Sequence, residues 1–155
     1  MGEIRLYVWT DASPFRADRA VTRYELAFFK DGRHVGSRMD HFIADRNQQG
    51  AILEGLIAAM TRIQDGSGMS LTLVCANAYI IGSINQSQYV KWSLNGWKTS
   101  KGEEVKHAEE WQRVEQLIKD KISDITARVP AGEDDEVMRR LGAEAFDAHM
   151  NVETA

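Results

Sequence analysis

The sequence predicts one α/β domain built on a mixed five-stranded β-sheet, and three observations carry that prediction. Two strand-like segments, 24–30 (YELAFFK) and 34–42 (HVGSRMDHF), flank Asp31-Gly32-Arg33. An Asp-Gly pair between such runs marks a tight hairpin. Residues 47–64 then change period: Ile52, Leu53, Leu56, Ile57, Met60 and Ile63 recur at helical spacing and form one apolar stripe. Residues 71–76 (LTLVCA) follow as a continuous apolar run, the mark of a central strand. A helix between two strands of one sheet implies a right-handed parallel crossover. Hairpin plus crossover makes the sheet mixed.

The remaining elements follow in chain order. Residues 5–10 (RLYVWT) read as a strand buried on both faces, ending on Asp11 and the small residues Ala12 and Ser13. An acid at a strand exit beside open space suits a metal ligand or a general base. It equally suits an Asx turn ahead of Pro14. Residues 14–22 read as a polar, basic turn, and Asp65-Gly66-Ser67-Gly68 stops the first helix. Residues 77–84 and 88–97 are two short helices, and 105–119 is amphipathic, with Val105, Ala108, Trp111, Val114, Leu117 and Ile118 on its apolar side. Residues 122–129 alternate like a last strand. A turn at 130–135 leads into a final helix to about His149, where Asp134 and Asp135 suit the N-terminus. Residues 151–155 read as a frayed tail.

The chain as a whole excludes several classes. Its 155 residues make one domain, 1–155, and the 43% hydrophobic and 27% charged fractions are those of a globular protein. No apolar run reaches membrane-spanning length and Met1-Gly2-Glu3 opens no signal-peptide pattern, so a cytoplasmic monomer without membrane contact is the expectation. Cys75 is the single cysteine, which excludes an internal disulfide and a cysteine metal cage. The net charge of −4 weighs against unassisted binding to a phosphate backbone.

The order βββ-α-β-α-α-α-β-α resembles the type 1 ribonuclease H fold, whose sheet has three antiparallel strands and then two parallel ones. Asn95-Gly96-Trp97-Lys98-Thr99, followed by Val105-Lys106-His107-Ala108-Glu109-Glu110-Trp111-Gln112-Arg113, resembles that family's GWKT…VKN…LWQRL segment. Thr10-Asp11-Ala12-Ser13 is similar to its TDGS strand end, and Cys75-Ala76-Asn77-Ala78-Tyr79-Ile80 to TDSQYV. Gln49-Gly50-Ala51-Ile52-Leu53 is similar to NRAEL. The resemblance implies cleavage of the RNA strand of an RNA–DNA hybrid. It also implies four carboxylates holding two Mg²⁺ ions, which activate water and stabilise the leaving oxygen.

Set on this chain, the four positions are unequally filled. Asp11 is the first. The apolar stripe puts Ile52 at the second. Glu54, two residues on, is rotated by about 200° at 3.6 residues per turn, and serves only if the register shifts. The third position is Ala76, either a natural loss or an introduced Asp→Ala; the second departure at Ile52 makes natural loss the simpler account. The fourth is Asp135, in Asp135-Glu136-Val137-Met138-Arg139 (compare DELAR), with Asp134 as understudy, although both acids equally suit helix capping. The histidine that the family carries before this helix is absent from 129–136, and His107 reads as a polar surface residue. For substrate contact the resemblance offers Gln48, Gln49 and Asn77 in a hybrid's minor groove. It also offers Trp92 and Lys98 beside a strand, with Trp97 suited to the core. The expectation is a ribonuclease H-like domain with a degenerate site and weak or absent Mg²⁺ binding, acting on a hybrid, other nucleic acid or a protein partner. The alternative is a working endoribonuclease using Asp11, Glu54 and Asp135, or Asp11 and Asp135 with an aspartate restored at Ala76.

Overall fold

The computed structural model describes residues 2–154, with side chains through Glu144. One sheet of order β3-β2-β1-β4-β5 organises them. Strands β1 (Gly2–Thr10), β2 (Asp18–Lys30) and β3 (Arg33–Arg46) form an antiparallel meander. Strand β4 (Met69–Val74) pairs parallel to β1, and β5 (Ile122–Arg128) parallel to β4. The hairpin turns where expected, with positive φ at Asp31 (53°) and Gly32 (78°), the geometry that short hairpin loops need.

Strand β2 begins six residues before the expected run, because 18–23 pairs with Arg46–His41 of β3, and Thr22 and Arg23 pair also with Thr10 and Trp9 of β1. The alternation of charged and small residues at 16–20 hid this from the sequence. Strand β4, by contrast, ends at Val74; Cys75 N–H makes a last bond to Arg128 C=O at 3.2 Å, and Ala76 lies beyond the strand.

Helix α1 (Gln48–Thr61) lies on one face, capped by Asn47, whose Oδ1 accepts from Gly50 N–H at 2.9 Å. Its stripe packs as read: Ile52, Leu53, Leu56 and Met60 bury against Ile4, Leu6, Val8, Leu26, Leu71 and Leu73. Each such side chain stabilises the fold by roughly 1.5–3 kcal/mol. Gly55 permits the approach, since a Cβ there would lie 3.0 Å from Val8 Cγ1. Helix α4 (Ala108–Lys121) completes this layer with the fully buried Trp111. Helices α2 (Ala78–Asn85) and α3 (Gln88–Leu94) link β4 to it. The side-chain amide of Asn85 both donates to Ala127 C=O and accepts from Ala127 N–H, each at 2.8 Å, so it closes the outer rim of β5.

Helix α5 (Glu133–Thr154) covers the other face. Leu141 packs with Tyr7, Ala27 and Val74. The expectation for the tail at 151–155 falls beyond the described side chains. Among the described residues no helix is long and apolar enough to cross a membrane.

Candidate functional site

The open end of β1 and β4 gathers most of the residues that the sequence singles out. The carboxylate of Asp11, exposed, accepts Val21 N–H at 2.8 Å, and Asp11 N–H donates to Val21 C=O at 3.2 Å. It therefore closes the β1–β2 ladder with its own side chain, a cross-strand bond in place of the local Asx turn that the sequence offered. The start of α1 is tied to the same loop by Gln48 N–H donating to Ser13 C=O at 2.8 Å. Gln48 Oε1 in turn accepts from Asn77 Nδ2 at 2.7 Å. Asn77 Oδ1 caps α2 by accepting Ile80 N–H at 3.0 Å. Asn77 is thus spent on both sides and 9% exposed. Gln49 Oε1 is buried and has no hydrogen-bond partner.

The two doubtful positions have clear surroundings. Ile52 is 1% exposed within the main core, and Ala76 presents a methyl group at the surface. Glu54 does not swing to Asp11: its Oε2 lies 3.9 Å from Arg46 Nε, while Arg46 Nη2 donates to Glu110 Oε1 at 3.1 Å. The sequence placed Glu54 toward solvent. Its side chain is 43% exposed, and the cation that draws it comes from the end of β3.

Asp134 and Asp135 stand elsewhere. Asp134, 2% exposed, accepts from Arg128 Nε and Nη2 at 3.1 Å each and from Ala131 N–H at 3.2 Å. Burial alone would raise its pKa, but these hydrogen bonds hold the carboxyl below the usual range. Asp135 is exposed. The first turn of α5 is beside Arg5, which lies 4.0 Å from Glu133. It is the later Gly142 that meets the β1 end, where an added Cβ would sit 3.0 Å from Trp9 Nε1. Six residues of β1, roughly 20 Å at 3.3 Å per residue, separate Arg5 from Asp11. Asp11, Glu54 and Asp135 do not form a group placed to hold a metal ion. Among the described residues no three of His, Cys, Asp and Glu are placed to hold a metal ion.

The aromatic surface is better assembled. Trp92 stacks on Tyr79 at 6.5 Å and 24°, and meets Trp111 edge-on at 5.6 Å. On one side of Trp92 lies a cleft of about 370 Å³ lined by Tyr79, Ser83 and Gln86. On the other, one of about 380 Å³ is lined by Lys91, Asn95, Lys98 and Thr99. Trp92 and Lys98 therefore share a surface that begins at Ala78. Tyr79, 37% exposed, received no role from the sequence; an aromatic one helical turn beyond a strand was the available signal. His107 is not a plain surface residue: it sits half-buried at φ 60°, with Nε2 buried and without a partner. Burial lowers its pKa.

A search of family models finds no match to this chain. A curated protein named ribonuclease H from Caldicellulosiruptor saccharolyticus is 37% identical over 75 residues, 48% of this chain and 48% of that protein. Another of that name from Clostridium botulinum strain Hall is 32% identical over 98 residues, 61% of this chain and 64% of that protein. The matches thus span about half to two thirds of those relatives' lengths. Among solved structures, LC9-RNase H1, described as a type 1 RNase H with the type 2 active-site motif, superposes with a TM-score of 0.65 at 16% identity. That likeness covers 94% of this chain and 74% of the other. A foamy viral protease-reverse transcriptase in complex with RNA/DNA hybrid gives 0.61 at 12% identity, over 89% of this chain and 19% of that one.

Proposed function

Because this chain is a type 1 ribonuclease H-like protein, we propose that it is an RNA–DNA hybrid-binding module in which hydrolysis is lost or nearly lost. The observation that carries this reading is Ile52. Where the resemblance calls for a metal-binding glutamate there is a hydrocarbon side chain, 1% exposed and packed in the core. Magnesium takes oxygen ligands, usually carboxylates and water. Asp11 offers one carboxylate already bonded to a backbone amide, Ala76 offers none, and α5 starts beside Arg5. This donor set does not fit a pair of divalent ions, so no hydrolytic step is derived through them.

Binding does not need that centre. Exposed aromatic faces stack on bases with little regard for sequence, and lysines contact phosphates. Tyr79 is the exposed ring, backed by the half-buried Trp92, and Lys91 and Lys98 are the cations near it. Glu103 and Glu104 offset Lys101 and Lys106 nearby, which favours a modest affinity.

A labelled RNA–DNA hybrid tests both halves. Gel electrophoresis with Mg²⁺ or Mn²⁺ is expected to show intact RNA, while fluorescence anisotropy shows salt-dependent binding. Trp92→Ala should weaken that binding by about tenfold, the value of one lost base stack. Cleavage that disappears in Asp11→Ala would overturn the reading in favour of the enzyme. Failure to bind hybrid at low salt would leave a protein partner as the module's target.

A further inference from the structure

A cleft lies at the opposite end of the sheet from Asp11. It measures about 520 Å³, within the range of small-molecule sites. Phe28, Ile63 and Met69 provide its apolar lining, and Arg38 and Arg62 its cations. The register explains why it is open. Phe28 pairs with Gly36, next to an irregularity that leaves Val35 without a ladder partner. A Cβ built on Gly36 would meet nothing within 4 Å. The position opposite an aromatic ring is therefore filled by empty space instead of a side chain. Arg38 is opposite Leu26, and directly opposed residues share a sheet face, so its side chain rises on the α1 side of the sheet. Arg62, the C-cap of α1, faces it from the helix.

The electrostatics of the cleft run against those of the chain. The protein carries a net charge of −4, yet the charged groups of this lining are both cationic. Asp40 lies 3.7 Å from Arg62 and also accepts its neighbour His41 N–H at 2.8 Å. Arg38 has no carboxylate partner among the described residues. A guanidinium is a rigid fork that matches carboxylate, sulfonate and phosphate oxygens. A bare inorganic anion would gain nothing from Phe28, Ile63 and Met69, and a neutral hydrocarbon nothing from Arg38.

We propose that the cleft between β3, the end of α1 and the start of β4 is a binding site for a compact organic anion, a planar or branched apolar body bearing one carboxylate, sulfonate or phosphate, held by Arg38 and Arg62 over Phe28. The site stands apart from the strand end that carries Asp11: Phe28 pairs with Ile4, seven residues or about 23 Å from Asp11.

Titration of the full chain with 8-anilinonaphthalene-1-sulfonate, read by fluorescence, tests the site. Saturable binding to the folded protein is expected, with naphthalene-1-sulfonate competing and inorganic phosphate not competing at the same concentration. Gly36→Leu fills the cleft and should weaken binding at least tenfold. Its φ lies outside the left-handed region, so the backbone accepts a side chain. Arg38→Glu, at an exposed position that folding does not depend on, should weaken binding by tenfold or more, whereas Lys119→Gln on α4 should leave it unchanged. Equal binding by Arg38→Glu and the unaltered chain would overturn the proposal. So would competition by phosphate as strong as by naphthalene-1-sulfonate, or displacement of the dye by an RNA–DNA hybrid, which would assign the cleft to the nucleic-acid surface.

Discussion

Two acids that the sequence singles out, Asp11 and Asp134 (the understudy to Asp135), live in opposite surroundings. Asp11 is exposed at the open end of β1, whereas Asp134 is 2% exposed beneath Arg128. Yet both accept a backbone amide, from Val21 and Ala131 respectively. The difference lies in what stands opposite: Asp134 is gripped by a guanidinium, and Asp11 by no cation among the described residues. A carboxylate enclosed in this way stabilises the fold and is withdrawn from chemistry. One left at an open strand end contributes little to stability and keeps its access to solvent.

The strongest way to break this contrast is to install an acid where there is none. Ile52→Glu puts a carboxyl group into the core and should cost about 4 kcal/mol, read by urea denaturation. Combined with Ala76→Asp, it should recover part of that loss when Mg²⁺ is added, and calorimetry should register metal binding absent from the unaltered chain. A double variant that binds metal no better would place the family's glutamate position elsewhere on α1.

Asp134→Asn comes next. It leaves Arg128 without its counter-charge and loses a strong hydrogen bond, and should cost about 2 kcal/mol near neutral pH. Because the carboxyl is held below its ordinary value, its contribution is complete above about pH 3.9 and is lost as pH falls through the depressed folded-state value. Urea midpoints of the unaltered chain and the variant should therefore converge on acidification. Asn77→Ala removes the α2 cap and the link to Gln48, for about 1 kcal/mol. Asp11→Asn keeps an oxygen for Val21 N–H and should shift the midpoint least, by under about 0.5 kcal/mol.

Much of the architecture was legible because local chemistry and tertiary packing agree. Asp31-Gly32 turns the hairpin, and the stripe from Ile52 to Met60 is the helix face that the sheet buries. Where they part, the sequence misleads. The stretch 18–22 reads as a basic turn, but its strand character comes from pairing with the distant residues 42–46 of β3. Helix α4 begins at Ala108 and not at Val105, because His107 takes a left-handed conformation that no periodicity announces. At the site, the identities of Asp11, Ile52 and Ala76 could be read directly, but not the destination of Glu54. That depends on Arg46, which arrives from another strand. Nor does composition reveal where α5 starts along the sheet; the grip of Arg128 on Asp134 sets that.

The amide of Asn85 has a consequence for how copies of this chain can meet. By standing in for a neighbouring strand on Ala127 it stops the sheet at β5, while β3 on the far side runs fourteen residues with an uncovered flank. The longer and less guarded border is therefore β3, and two copies that paired along it would form a closed, twofold pair.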